Sequence, residues 1–95
     1  MNVEMTDEAA ADLEAAFDHY ESRKPGLGVE MIEEFRRGVD LILQYPDGWK
    51  ALGDEHRCHR LVRFPFGIIY LVEQERIVVV AFGHLARAPN WWKSR

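Results

Sequence analysis

The sequence predicts an α+β domain in which an antiparallel helical hairpin packs on a mainly antiparallel sheet, in the order β-α-α-β-β-β. Three observations carry this expectation. Two segments in the first half place apolar residues at spacings of three and four. A Pro-Gly link between them is too short for anything but a tight reversal. The second half abandons that period for β-rich apolar runs separated by brief turns.

The first element, Asn2 to Met5, is short and mixed, and reads as a strand because a helix start follows at once. Thr6 is a good N-cap, and Asp7 and Glu8 place negative charge in the first turn, where the helix dipole favours it. Ala10, Leu13, Phe17 and Tyr20 then form an apolar stripe that must end near Lys24, since Pro25 and Gly26 follow. A second stripe runs through Ile32, Phe35, Val39 and Ile42 and closes at Tyr45-Pro46-Asp47-Gly48, a strong turn signal. The link Lys24-Pro25-Gly26-Leu27-Gly28 sets the two helices antiparallel. Phe17, Tyr20 and Phe35 read as core, because aromatic residues at helical spacing pack inward.

Residues 49–56 read as a polar connection, with Trp49 as a lid over the end of the core. Three β-rich runs follow: Leu61 to Phe64, Phe66 to Val72, and Ile77 to Phe82, the last two joined by the polar turn Glu73-Gln74-Glu75-Arg76. Tight connections of this kind predict an antiparallel meander. The last two runs are apolar without alternation, as expected of central strands buried on one face and partly covered on the other.

A length of 95 residues allows one domain, residues 1–95, with an adequate core. Cys58 is the only cysteine, so no internal disulfide forms, which fits a reducing compartment. The N-terminus has neither a basic region nor a long apolar run, and the apolar stretches fall far short of the ~20 residues that span a bilayer. The expectation is a cytoplasmic protein that does not engage a membrane.

The net charge of −4 hides a division. Residues 1–55 hold 5 Lys/Arg against 14 Asp/Glu, a net of −9, whereas residues 56–95 hold 7 against 2, a net of +5. Either the two halves attract each other within the fold, or the basic half meets an acidic protein segment or a nucleic-acid backbone. Arg57, Arg60, Arg63 and Arg87 are the candidates for such a partner. The tail, with Trp91, Trp92, Lys93 and Arg95, looks aromatic, basic and exposed. Trp92 and Arg95 are its candidate anchors, since tryptophan and arginine are enriched at binding hot spots, while one of the two indoles is expected to fold back over the sheet.

His56, Cys58 and His59 superficially suggest a metal site. Adjacent residues of a strand point to opposite faces, however, and no further ligand pair lies near in sequence, so no metal or other cofactor is expected. Cys58 reads as a small buried or edge thiol. His84, where the last strand ends, is either a backbone-bonding structural residue, the preferred reading, or a general acid beside Arg87.

The run Phe64-Pro65-Phe66-Gly67-Ile68-Ile69-Tyr70, the strand ending in Phe82-Gly83-His84, then Leu85-Ala86-Arg87-Ala88-Pro89 and Trp92-x-x-Arg95, resemble the C-terminal pattern of the RelE/ParE toxin superfamily. The start Thr6-Asp7-Glu8-Ala9, the Pro-Gly-Leu-Gly loop at residues 25–28 and the close at Tyr45-Pro46 are similar to its ParE-like branch. The resemblance implies the toxin of a type II toxin–antitoxin (plasmid stabilisation) pair, neutralised by a cognate antitoxin that wraps part of the sheet and helices. ParE-like members inhibit DNA gyrase by binding it; RelE-like members enter the ribosome and cleave mRNA. A nuclease of that kind draws cations and a tyrosine or histidine from near its C-terminus, and here His84, Arg87, Arg60 and His59 are the candidates. No tyrosine follows Tyr70, and a chain at −4 is poorly suited to a phosphate-lined route. The expected function is therefore ParE-like inhibition by protein binding, with the ribosome-dependent ribonuclease, or a member without toxic activity, as alternatives.

Overall fold

The computed structural model describes residues 1–53 and 55–95. It comprises β1 (Asn2–Met5), α1 (Asp7–Arg23), α2 (Leu27–Gln44), β2 (Lys50–Gly53), β3 (His56–Arg60), β4 (Phe66–Glu73) and β5 (Arg76–His84). The strands form one sheet in the order β1-β5-β4-β3-β2. Neighbours are antiparallel except β1, which lies parallel to β5; the two helices carry the chain from β1 at one edge of the sheet to β2 at the other.

Both helices form for the reasons visible in their residues. The Thr6 hydroxyl accepts the Ala9 amide at 3.1 Å, and Lys24 ends α1 by donating its amide to the Tyr20 carbonyl at 3.1 Å. The reversal is tighter than the five-residue link expected, since α2 begins at Leu27. Gly26 makes it possible with φ of 92°, in the left-handed region that favours glycine. Glu21 fastens the corner: its carboxylate accepts the Gly26 amide at 2.8 Å and the Gly28 amide at 3.0 Å, so a side chain of α1 satisfies orphan donors at the start of α2.

The strands depart from expectation in one place. The first run of the meander lies upstream of Leu61–Phe64, at His56–Arg60, with an additional edge strand β2 beside it. Leu61 to Pro65 instead form the connection to β4. The cause is a carboxylate. Glu34 of α2, buried despite its charge, accepts the amides of Val62 and of Arg63, the latter at 3.1 Å, so these amides bond to a helix side chain and not to a neighbouring strand. Leu61 and Phe64 are buried as plugs of this loop while Val62 projects into solvent. β4 and β5 are then joined by a two-residue turn in which Gln74 and Glu75 both take positive φ, the geometry that matches strand twist.

The main core lies between the hairpin and the sheet and includes Met31, Phe35, Ile42, Ile68, Tyr70, Ile77, Val79 and Phe82, with Phe17, Tyr20 and Trp49 packed at its margin. Phe35 meets Phe82 edge-on with ring centroids 5.2 Å apart. Tyr70 is fully buried and donates its hydroxyl to the Pro46 carbonyl at 2.7 Å; burial pushes its pKa up to about 12, against the opposing pull of Arg57. A smaller core covers the opposite face, built from Ile69, Val80, Ala81 and Trp92. Both faces of β4 and β5 are thus covered, which is why their sequences do not alternate. No helix among the described residues is long and apolar enough to cross a membrane.

Phe35→Ala should destabilise the chain by about 3–5 kcal/mol, a large fraction of the stability of so small a protein, and the half-buried Phe17 should cost less when truncated. Chemical denaturation of the two variants checks both the size and the order.

Candidate functional site

Strand pairing decides which candidate residues meet. On β3, Arg57 and His59 turn toward the helices, and Cys58 and Arg60 toward the opposite face. Arg57 donates to the Trp49 carbonyl at 2.8 Å. His59 is buried against Trp49, ring centroids 4.2 Å apart, beneath Gly38 of α2. Arg63 sits in the loop beyond and pairs with Glu30 of α2 at 2.9 Å. The four arginines expected to form one patch are therefore split: Arg57 and Arg63 belong to the helix side, and only Arg60 and Arg87 share the outer face.

That face holds a groove of about 260 Å3, bordered by Lys50 and Arg60 on one flank and by Arg87 and Trp91 on the other, with Cys58, Gly67, Ile69 and Leu85 also lining it. Its shape comes from a row of cross-strand partners, Arg60 opposite Gly67 and Gly67 opposite Gly83, which leaves the middle of the row without side chains. The Trp91 indole fills the space at Gly83, where a Cβ would stand only 2.0 Å from the ring. The Arg87 guanidinium stacks on this indole at 3.7 Å and Arg95 approaches it at 4.9 Å. Burial pushes the Cys58 thiol up, against the opposing pull of Arg60 and Lys50.

The tail is part of the fold. Trp92, expected as an exposed anchor, is only 5% exposed and belongs to the outer core; Trp91 is the more accessible indole of the pair. Arg95, the second expected anchor, forms a bidentate pair with Asp12 of α1, its Nη2 lying 3.1 Å from Oδ1, and also donates to the Val80 carbonyl at 3.3 Å. Asp12 in turn accepts the Phe82 amide at 3.0 Å.

Of the four candidates for acid–base chemistry, Arg60, Arg87 and His84 line the groove and His59 does not. Arg60 and Arg87 flank the groove. His84 borders it, but its ring packs on Phe66 with centroids 5.5 Å apart, and its Nδ1 accepts the Ala86 amide at 3.0 Å, the structural role preferred from sequence. His59 is on the opposite face. Among the described residues no group of His, Cys, Asp and Glu is arranged to hold a metal. Glu34, Asp12 and Lys50 were not singled out from sequence. Asp12 and Glu34 did leave a sign, since each falls on an apolar stripe, Asp12 between Ala9 and Ala16 and Glu34 beside Met31 and Phe35.

A helical hairpin covers one face of this sheet, and a C-terminal segment is strapped across the other. The chain belongs to the family described as the ParE toxin of the type II toxin–antitoxin system parDE, whose family model matches residues 3–89, and so to the RelE/ParE type of toxin. Among solved structures, the chromosomal ParDE toxin–antitoxin system from P. aeruginosa is similar at 25% identity, covering 88% of this chain and 95% of that one with a TM-score of 0.78. No curated protein matches the chain.

Two outcomes follow from these contacts. Arg95→Ala should cost about 1–3 kcal/mol through lost charged hydrogen bonds, and removing residues 91–95 considerably more, since Trp92 leaves the core with them; urea denaturation distinguishes the two. Burial also pushes the His59 imidazole below its ordinary value, with Glu34 pulling the other way. The unfolded chain then binds the extra proton first, so stability should fall as pH drops below about 6.5 and level off below the folded value. Comparing pH–stability profiles of the chain and His59→Gln isolates this contribution, and the variant should show the shallower slope in that window.

Proposed function

We propose that this toxin works in the cytoplasm by binding DNA gyrase, and that a cognate antitoxin neutralises it by covering part of the sheet and helices. Family membership supports a type II toxin; the resemblance to ParE-like members, which act by binding, supports the target. The observation that supports the binding mode is that His59 is buried across the sheet from the cationic groove, while His84, which borders the groove, is engaged with the backbone at Nδ1. Cleavage of RNA without a metal needs a base for the 2′-hydroxyl proton and an acid for the leaving oxygen beside the cations that hold the phosphate. Here the groove offers cations and an aromatic wall, while His84 spends its Nδ1 on a backbone amide and His59 is buried across the sheet. A surface of stacked indole and guanidinium over an apolar floor is suited to anchoring a protein.

The purified chain should block DNA supercoiling by gyrase at concentrations at which mRNA on ribosomes stays intact. Cleavage of ribosome-bound mRNA that disappears in His84→Ala or Arg87→Ala would replace this reading with the nuclease one.

A further inference from the structure

The two guanidiniums that approach Trp91 are in unequal circumstances. Arg95 has its carboxylate, Asp12. Arg87 lies closer to the indole and forms no ion pair among the described residues, and the same holds for Lys50 and Arg60 across the groove. No Asp or Glu is found among the described residues that line the groove. Three cations thus surround one depression without a counter-charge, in a chain whose net charge is −4. Stacking fixes the plane of Arg87 and leaves its N–H edge pointing away from the ring face, so a carboxylate that arrives there finds an oriented fork rather than a flexible side chain.

The floor is apolar at Ile69 and Leu85, and bare of side chains at Gly67. With a volume of about 260 Å3 it lies below the roughly 300–1,000 Å3 typical of pockets that enclose a small ligand. A side chain or two of a segment lying across it would fill it.

We propose that this groove docks an acidic segment of a protein partner, which sets an apolar side chain over Leu85 and Ile69 and gives its flanking carboxylates to Arg87 on one side and to Arg60 and Lys50 on the other. The proposal rests on the protein-binding reading above and deepens it by naming the chemistry of the partner. A nucleic-acid strand suits the groove less well. Its affinity comes from many successive phosphates, and three cations are soon exhausted on a molecule whose overall charge repels the rest of the strand.

The test uses the intact chain. Short acetylated peptides in which leucine and phenylalanine alternate with aspartate are titrated against it by calorimetry, beside control peptides with asparagine in place of aspartate and a single-stranded RNA of matched length. The aspartate peptides should bind, more weakly as salt rises, and should lose about tenfold or more in affinity when Arg60→Glu and Arg87→Glu are combined. Arg23→Glu with Arg37→Glu, on the helices, should leave binding unchanged. Circular dichroism confirms that each variant is folded; if the double variant is not, Lys50→Glu on the edge strand takes its place. Equal binding of the asparagine peptides, unchanged binding by the groove variants, preferential binding of the RNA, or no binding of the aspartate peptides would each overturn the proposal. Supercoiling is read separately: peptide binding without gyrase inhibition overturns only the choice of target, and gyrase inhibition without peptide binding overturns only the groove.

Discussion

The second half of β5 has no strand on one side, and much of the molecule is arranged around that deficit. β1 stops at Met5, opposite Val79, so beyond that point the backbone of β5 faces no neighbour on its β1 side. Left alone, its amides and carbonyls would be partly buried without partners, at a cost of about 1–3 kcal/mol each. Side chains take the place of the missing strand. Asp12 accepts the Phe82 amide, and Arg95 and Thr6 donate to the Val80 carbonyl. Because Asp12 and Arg95 also bind each other, one ion pair locks α1, β5 and the tail together. The pair is mostly shielded from water, with side-chain exposures of 14% and 17%, so its hydrogen bonds retain a strength that a surface pair would lose to solvent.

The outer face inherits its form from this anchorage. With Arg95 held at α1, the preceding turn brings Trp92 into the outer core and lays Trp91 against Gly83. Trp91 in turn gives Arg87 a surface to stack on. The result is one flank of a groove whose other flank comes from β2 and β3, elements far away in the chain. The groove is therefore assembled from β2 to β5 and the tail, and its cations are separated from the acidic helices by the thickness of the sheet.

The helices were legible because period, cap and breaker all agreed: Thr6, the two stripes and Pro25-Gly26 each named the same boundaries. β4 and β5 were legible from their apolar runs, and Tyr45-Pro46-Asp47-Gly48 from its turn chemistry. β3 was not, because His56-Arg57-Cys58-His59-Arg60 carries too few apolar residues to advertise a strand, and Leu61-Val62-Arg63-Phe64 advertises one that a carboxylate twenty-eight residues upstream of Val62 prevents. Local pattern cannot report a bond of that range. The tail failed for a related reason. Trp-Trp-Lys beside Arg reads as an exposed basic patch until Asp12 is known to accept the arginine and the outer sheet face is known to need cover. Arg57, Arg60, Arg63 and Arg87 are candidate partner residues from sequence, and the sequence had no means of telling that Arg60 and Arg87 share the outer face while Arg57 and Arg63 lie on the helix side, since the alternation of strand faces decides that only once the strand itself is placed.

The parallel pairing of Asn2–Met5 with Arg76–Val79 has a consequence for how the chain reaches its native state. These partners are separated by more than seventy residues, so their contacts add heavily to the mean sequence separation on which folding speed depends. The helical hairpin and the β4–β5 hairpin are local and can form early, but β1 can join only after the entropy of closing nearly the whole chain has been met. Until then Ile77, Val78 and Val79 lie along an open edge, as one flank of an apolar strand with unpaired hydrogen-bonding groups. The interval before closure is when this chain is most exposed to misassociation, and a charged strand at Asn2-Val3-Glu4-Met5, with Glu4 bonded to Arg76 at 2.8 Å, is the device that ends it.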